Sequence, residues 1–317
     1  MLKNCILAAA ALALSAAVCS AADTEGVSGA QFLRIGVGAR ASALGETGAV
    51  SSGAQSMFYN PAGLSEVENT EAAFSEVKWV MDTNYSNLAL AKKIGGGVYG
   101  FSVSYFSLPS TTKYDNLGNK LSDSYSAADM AAALGCGLPL GGGTSLGLNL
   151  KYISSKLDDN TAAAVAGDAG LKWAAVPGAL DFGVALQNAG ARLKYRSVGD
   201  ALPLNLKIGG GYTYKIEDET EMEKSVSVFT DLNYLKDSGA YGNLGVEFAS
   251  RYSSDSSFAL RGGYRTNAGG NAGMSFGLGI SGPSYLIDYA YSPMGDLGQA
   301  HRLTLSLKFG GGTPEPS

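Results

Sequence analysis

The fold is decided by the stretch His301-Arg302-Leu303-Thr304-Leu305-Ser306-Leu307-Lys308-Phe309, in which polar and apolar side chains alternate. Successive side chains of a β-strand point to opposite faces of the sheet. The leucines and Phe309 therefore share one apolar face, while the residues between them form a polar face. The stretch predicts a strand that separates an apolar environment from a polar one.

The same alternation recurs through most of the chain. It is clear in residues 99–105, 146–152, 204–214 and 274–280. We count about fourteen such strands between Ala72 and Phe309, and single-chain transmembrane barrels prefer an even number. The pattern predicts an all-β fold, a transmembrane antiparallel β-barrel whose apolar face contacts outer-membrane lipid.

A soluble periplasmic β-sandwich would also show alternating strands, with the apolar face buried between two sheets, and it is an alternative at this point. Three features favour a barrel. Charged residues make up only 16% of the chain, whereas Gly and Tyr number 44 and 17. Strand lengths approach the roughly 9–11 residues that a tilted membrane strand needs. The apolar face also ends repeatedly in an aromatic residue, as interfacial girdles do: Trp79, Trp173, Tyr234, Tyr264, Tyr285 and Tyr291.

The predicted connections alternate in length. Short turns rich in Gly and Pro occur at 93–96, 139–142 and 282–284, and longer polar loops occur at 109–125, 188–203 and 292–300. Short periplasmic turns opposite longer outer loops are typical of outer-membrane barrels. The acidic connection 217–224 is long although it falls on the short-turn side, and we interpret it as a solvated loop.

The first residues predict export. Lys3 precedes an apolar stretch at 6–18, and Ser20-Ala21-Ala22 has the small residues of a cleavage site. We therefore expect a cleaved signal peptide at 1–22 and a location in a bacterial outer membrane. The remaining chain divides into a candidate plug at 23–71, the barrel at 72–309 and a polar tail at 310–317.

Residues 23–71 lack the alternation and are dense in Gly and Ala. A barrel of this size has an interior wider than its own side chains can fill. A compact segment ahead of the first strand is therefore a candidate plug, or hatch.

The plug contains one motif of special interest, Asn60-Pro61-Ala62-Gly63. Pro61 fixes its own φ angle and biases Asn60 to an extended conformation, and Gly63 permits a sharp turn. One interpretation is a structural corner that docks the plug on the barrel wall. The other is a gate through which a ligand passes.

Three stretches resemble a known family. The first is 32–45, with Phe32, Gly36, Gly38, Arg40 and Gly45; the second is 57–64; the third is 297–306. They resemble the PorV/PorQ family of outer-membrane barrels, which is related to the FadL long-chain fatty-acid transporters. The resemblance implies fourteen strands and an N-terminal hatch that carries an Asn-Pro-Ala motif.

The resemblance suggests two functions. The first is a component or cargo-receiving partner of a protein secretion system of the type IX kind, which implies secretion-system proteins or exported cargo as partners. The alternative is a FadL-like transporter of hydrophobic small molecules. It predicts an apolar pocket that reaches from the outer loops into the lumen, with Leu117, Leu121 and Leu193 as loop contributors.

The last strand has a second predicted role. Its terminal aromatic looks like the C-terminal signal by which the insertion machinery recognises outer-membrane barrels. The residues concerned are His301, Arg302, Leu303, Leu305, Leu307 and Phe309.

The sequence gives little support for nucleic-acid binding, a nucleotide site, an enzyme or a metal site. The formal net charge of −5 argues against nucleic acid as a partner. Gly36-Val37-Gly38 lacks the third glycine of a dinucleotide fingerprint. His301 is the sole histidine, and the acidic stretches lack the spacing of a calcium loop. We therefore predict no catalytic, cofactor or metal site.

Overall fold

The computed structural model describes residues 28–195, 197–217, 222–253, 255–266 and 273–310. The predicted signal peptide and the polar tail beyond Gly310 lie outside these residues. The described strands are β1 Thr70–Lys78, β2 Asn84–Ile94, β3 Gly97–Ser107, β4 Thr111–Tyr114, β5 Lys120–Tyr125, β6 Ala127–Gly141, β7 Thr144–Leu157, β8 Asn160–Val176, β9 Leu180–Gly190, β10 Leu193–Lys194, β11 Gly199–Asp200, β12 Asn205–Ile216, β13 Lys224–Leu235, β14 Gly239–Ser253, β15 Ser256–Arg265, β16 Gly273–Ser281, β17 Tyr285–Pro293 and β18 Gln299–Phe309.

Helical structure is short. An α-helix, α1, spans Ala39–Ala43, and 3-10 turns span Gln31–Arg34, Ala54–Phe58, Pro61–Glu66, Val80–Asp82 and Gly295–Leu297. No helix in these described ranges is long and apolar enough to cross a membrane.

Fourteen of the strands form a closed antiparallel barrel, which confirms the predicted fold class. The barrel closes where β1 pairs with β18, with Phe74 opposite Leu305 and Lys78 opposite His301. The first strand begins at Thr70 rather than at Ala72. Two small hairpins, β4–β5 and β10–β11, lie outside the barrel sheet.

The strands place their apolar face outward. In β18, Leu303, Leu305 and Phe309 are exposed, whereas Arg302 and Thr304 are buried. Because the apolar side chains cover the outside of a closed barrel, the alternative of a β-sandwich is wrong. Exposed aromatic residues near the strand ends include Tyr99, Tyr105, Tyr152, Trp173, Tyr212, Tyr234, Tyr264 and Tyr285.

One predicted girdle residue has a different place. Trp79 packs against buried residues of the lumen, and its ring lies 5.0 Å from the guanidinium carbon of Arg302. It follows the last residue of β1, where the chain leaves the regular alternation, so the strand pattern could not place it.

The two ends of the barrel differ. At the turn side, short connections join β2 to β3, β6 to β7, β8 to β9 and β16 to β17. At the loop side, the β4–β5 hairpin lies between β3 and β6, and the β10–β11 hairpin lies between β9 and β12. The predicted long loops lie at this side, but short connections between β7 and β8 and between β13 and β14 lie there too, so the predicted alternation holds only in part. The acidic connection begins after Ile216 on the turn side, and its residues 218–221 lie outside the described part.

Residues 28–69, called the luminal segment below, run through the barrel from one end to the other. The segment starts at the loop side, where the Gly29 N–H donates to the Ala201 carbonyl at 2.9 Å. It ends at the turn side, where the Lys93 N–H donates to the Asn69 carbonyl at 2.7 Å, and β1 follows. The chain thus enters its first strand from within its own lumen.

Near the loop side, apolar residues of the luminal segment pack on the inner wall. Phe32 lies edge-on to Tyr85 of β2, with ring centroids 6.2 Å apart. Ile153 of β7 and Leu193 of β10 belong to the same buried cluster. This part of the lumen is therefore a hydrophobic core, although the sequence pattern predicts a polar interior.

Farther toward the turn side, the luminal segment contacts a track of wall glycines. Gly147 pairs with Gly137 on one side and Gly170 on the other, so the glycines lie in one row across three strands. A Cβ atom at Gly147 would lie 2.0 Å from the Ala62 nitrogen, and one at Gly183 would lie 2.0 Å from the Ala49 carbonyl oxygen. The backbone of the segment therefore rests directly on the backbone of the wall.

This track predicts the effect of added methyl groups. Gly147→Ala should destabilise the protein by about 1–3 kcal/mol, because its Cβ overlaps the segment backbone. The measurement is the free energy of unfolding in urea, with protease cleavage within the luminal segment as a second readout. Gly262→Ala is the matched control, because Gly262 has no atom near its Cβ direction. Equal effects of the two substitutions would contradict the proposed contact.

Candidate functional site

The Asn60-Pro61-Ala62-Gly63 motif lies against the wall of β7 to β9. The Asn60 side-chain amide donates to the Ala49 carbonyl at 2.6 Å and to the Leu171 carbonyl of β8 at 3.0 Å. Its side-chain oxygen accepts from the Ala62 N–H at 3.1 Å and thereby caps the turn Pro61–Glu66. Asn60 joins the luminal segment, its own turn and the wall, so the geometry favours the interpretation as a corner.

Gly63 is required by a close approach within the segment. A Cβ atom there would lie 1.9 Å from the Ser51 carbonyl oxygen.

Tyr59, which precedes the motif, is buried, and its hydroxyl accepts a hydrogen bond from the Val37 N–H at 3.0 Å. Burial, together with the charge of Glu46, raises the pKa of Tyr59, so the phenol stays neutral.

The five signature residues do not form one cluster. Phe32 lies in the loop-side core, and the Gly38 N–H faces the Tyr59 hydroxyl at 3.4 Å. Gly36 leaves room for the Glu46 carboxylate, which occupies the place of a Cβ. Gly45 has a φ of 68° and lies against the backbone of β14 and β15. Phe32 and Gly45 therefore contact the wall, whereas Gly36 and Gly38 contact other residues of the luminal segment.

Arg40, the remaining signature residue, begins a buried ladder of charges. Its guanidinium donates to both carboxylate oxygens of Glu247, at 3.1 and 2.9 Å. Arg261 donates to Glu247 at 2.5 Å and to Asp288 at 2.6 Å. The Glu247 carboxylate raises the pKa of Arg40, which stays charged. Bidentate pairing of this kind ties α1 to β14, β15 and β17.

Other charged groups hold the segment on the neighbouring strands β12 and β13 and on β8. The Asp231 carboxylate accepts from the backbone N–H groups of Gly48 and Ala49, at 2.6 and 3.0 Å. Lys207 lies 3.6 Å from the same carboxylate. Lys172 of β8 pairs with Glu66 at the end of the segment.

Three cavities lie along residues 31–59 of the luminal segment, and a fourth, also of about 420 Å³, lies at the turn-side end beside Glu66. The first, of about 420 Å³, is at the loop side between residues 31–36 and the wall of β15 to β18. The second, of about 80 Å³, lies deeper, and both are lined by Arg34, Ile35, Gly36, Glu46 and Arg265. The third, of about 50 Å³, is at the turn side and shares Tyr59 with the second. Residues Arg34–Gly36, called the strap below, separate the first cavity from the second. Tyr59 separates the second cavity from the third.

The predicted loop contributors do not line these cavities. Leu117 is 86% exposed in the β4–β5 hairpin, and Leu121 is also exposed there. Leu193 is buried in the loop-side core. The loop-side cavity is instead lined by charged and apolar residues of the luminal segment and of β15 to β18, so the predicted pocket differs in the residues that line it.

The terminal strand divides its predicted residues between two faces. His301 lies on the outer face with Leu303, Leu305 and Leu307, and its Nδ1 is 2.7 Å from the Tyr289 hydroxyl. Arg302 points inward and lines the loop-side cavity. Their role as an insertion signal stays a prediction.

The sequence analysis did not single out several charged residues that lie inside the barrel and contribute to the site. They are Glu46, Lys207, Asp231, Glu247, Arg261, Asp288 and Arg302. A signal was present, because each strand charge stands at an inward position of the alternation, as Arg261 does between Leu260 and Gly262. Within the described ranges, no group of His, Cys, Asp and Glu is arranged to hold a metal ion.

Several solved structures share this fold. The toluene transporter TbuX of Ralstonia pickettii aligns with a TM-score of 0.58 and 13% identity, over 87% of this chain and 99% of that one. The monoaromatic hydrocarbon channel CymD gives 0.55 and 12%, over 86% and 96%. A FadL homologue of Pseudomonas aeruginosa gives 0.52 and 11%, over 86% and 98%. A search of curated protein sequences gives no significant match.

The closed barrel with a chain segment through its lumen thus has the fold of FadL-like outer-membrane β-barrels. In sequence, the chain belongs to the family described as "Uncharacterised protein family (UPF0164)", whose model matches residues 7–200. The narrower assignment to the PorV/PorQ family stays a prediction.

The Asn60 contacts predict a large effect of a nearly isosteric change. Asn60→Asp should destabilise the protein by about 1–3 kcal/mol or more, because a carboxylate cannot donate to the Ala49 and Leu171 carbonyls. Urea unfolding measures the change, and Asn84→Asp, at an exposed position of β2, is the control. Unchanged stability in Asn60→Asp would contradict the role of Asn60 as a corner.

Proposed function

We propose that this protein is an outer-membrane conduit for small hydrophobic molecules, which enter the lumen at the loop side. The observation that carries the proposal is the cavity of about 420 Å³ beside the luminal segment. Its size falls within the roughly 300–1,000 Å³ of small-molecule sites in proteins. The shared fold with TbuX and CymD, a toluene transporter and a hydrocarbon channel by name, supports the same conclusion.

The luminal segment has a weakly held part and a firmly held part. Residues from Leu44 to Glu66 are fixed by the glycine track, the Asn60 contacts and the charged pairs. The strap Arg34–Gly36 instead lies between two cavities. Displacement of the strap would join these cavities, so we assign it the role of the movable element.

Movement of the strap would also affect the deeper barrier. The next residue, Val37, donates its N–H to the Tyr59 hydroxyl. Tyr59 lines both the second and the third cavity. Displacement of Val37 removes this hydrogen bond. Movement of the strap, the loop-side barrier, is thereby coupled to Tyr59, the turn-side barrier.

A reversible lock tests the proposal. The Cβ position of Gly29 lies 3.4 Å from the Cβ of Leu193, close to the roughly 3.5–4.5 Å of a disulfide. In a Cys136→Ala background, the pair Gly29→Cys and Leu193→Cys should bind the start of the segment to the β10 loop. Because the strap follows the locked residue closely in the chain, the cross-link should restrain displacement of the strap. Toluene uptake by cells that carry the protein in their outer membrane should then fall to the level of cells without it, and recover after reduction.

Each single-cysteine variant is a control, because it carries the same side-chain change without the cross-link. Equal uptake by the oxidised and the reduced double variants would contradict the assignment of the strap Arg34–Gly36 as the movable element. Uptake no higher than that of cells without the protein would overturn the transport proposal itself.

A role in protein secretion is a second candidate, favoured by one surface feature. The β4–β5 hairpin stands outside the barrel sheet and exposes Leu117, Leu121 and Tyr114 at the loop side. If the hairpin receives cargo, purification in mild detergent should recover exported proteins or secretion components. Leu117→Ser should then reduce that recovery without changing the folding of the barrel. Recovery of no such partner would count against this candidate.

A further inference from the structure

Among the carboxylates of the described barrel strands, Glu76 of β1 alone points out of the barrel. It lies between Ser75 and Val77, whose side chains are buried on the inner face. The other strand carboxylates occupy inward positions of the alternation: Glu71, Asp129, Asp168, Asp181, Asp231, Glu247 and Asp288. Because lipid-facing positions of a barrel are normally apolar, the outward Glu76 requires an explanation.

The next outward position of β1 carries the opposite charge. Lys78 is exposed, and it stands opposite His301 of β18 and Asn84 of β2. The Glu76 carboxylate accepts from the Ser86 hydroxyl of β2 at 2.5 Å. Within the described ranges, neither Glu76 nor Lys78 takes part in an ion pair. An anion and a cation therefore lie about 7 Å apart along one strand, since a strand rises about 3.4 Å per residue.

The two charges lie at the loop-side border of the lipid-facing surface. Glu76 shares its row with Tyr105, through Ser86, and with Tyr289, through Leu303. Outward tyrosines of this kind mark the membrane interface. A charge near the interface costs up to about 1 kcal/mol, so the cost alone does not demand a partner. The order of the two signs is the more informative feature.

Adjacent charges of opposite sign on one strand are self-complementary. If two copies meet β1 to β1 about a two-fold axis along the membrane normal, each contact on one copy is repeated on the other. The strands of such barrels tilt by about 35–45°, so the two β1 strands cross. The crossing brings Lys78 of each copy beside Glu76 of the other, and two equivalent ion pairs form.

Below the charges, the same face offers an apolar contact. Phe74 of β1 stands opposite Leu88 of β2 and Leu305 of β18, and all three side chains are exposed. Lipid tails are as apolar as these residues, so their contact adds packing but little hydrophobic driving force. The charged pairs would therefore determine how the two copies align.

We propose that the outer face of β1 and β2, where the barrel closes, is the interface of a homodimer in which Lys78 of each copy pairs with Glu76 of the other. Such a dimer is independent of what the lumen carries. A lipid headgroup and a different membrane protein are the other occupants of this face that an experiment must distinguish.

Energy transfer between labelled copies measures the association. In a Cys136→Ala background, Leu117→Cys in the exposed β4–β5 hairpin carries a donor dye in one preparation and an acceptor dye in another. The preparations are mixed and reconstituted in vesicles of phosphatidylethanolamine and phosphatidylglycerol over a range of protein-to-lipid ratios. We expect transfer above the level of random proximity, with saturation as the ratio rises.

Charge reversal tests the pairing. Glu76→Lys and Lys78→Glu should each weaken association about tenfold or more, because like charges then meet at both pairs. A mixture of these two variants should associate as the parent does, since every charge again meets its opposite. The double variant Glu76→Lys, Lys78→Glu should also associate. Lys92→Glu, at the outward turn-side end of β2, is the matched control and should change nothing.

Recovery in the mixture separates a lost interface from a folding defect, because two misfolded variants would not restore each other. If a reversal prevents folding, Glu76→Gln combined with Lys78→Gln is the milder variant and should weaken association to an intermediate degree. Random transfer in the parent, unchanged association in these variants, or no recovery in a mixture of folded variants would overturn the homodimer. A monomeric parent that retains phospholipid in native mass spectrometry would also overturn it and assign the face to a lipid headgroup. Association that requires added outer-membrane extract would assign it to a different membrane protein.

Discussion

The contact on which the rest of the structure depends is the backbone-to-backbone approach between the luminal segment and the barrel wall. It is possible only because the inward positions at Gly147, Gly170 and Gly183 carry no side chain. A fourteen-strand barrel encloses more space than short inward side chains can fill. Glycine at these inward positions leaves still more space, and the luminal segment occupies it. The abundance of glycine is thus a property of the filled lumen, not of turns alone.

The filling is uneven, and this has consequences for function. Against β2, β7 and the β10 loop, the segment packs as a hydrophobic core. Against β14, β15 and β17, it is held by the ladder that begins at Arg40. Buried charge pairs add less net stability than their number suggests, because desolvation offsets their attraction. They do favour one position of the segment, since any other position leaves a buried charge without its partner.

The sequence was sufficient to predict the fold and to locate the plug motif Asn60-Pro61-Ala62-Gly63 in the chain. Alternation such as that of Leu303 to Phe309 depends only on the period of a strand, so it predicts the outward face without knowledge of any partner. Asn60 and Gly63 were recognisable because Pro restricts the backbone locally and Gly permits conformations that other residues avoid. The cavity was not predictable, since Arg302 and Glu46 meet only through the path of the segment across the lumen. Trp79 was misplaced for the same reason, because its contact is tertiary.

The distribution of contacts along the segment argues against release of the whole plug. Withdrawal of residues from Arg40 to Glu66 would take Arg40 from Glu247, the Gly48 and Ala49 N–H groups from Asp231, and the Asn60 amide from the Leu171 carbonyl in one step. Each such loss costs about 1–3 kcal/mol, and more for a charged group. Displacement of the strap Arg34–Gly36 breaks far fewer contacts, and the strap lies beside the loop-side cavity.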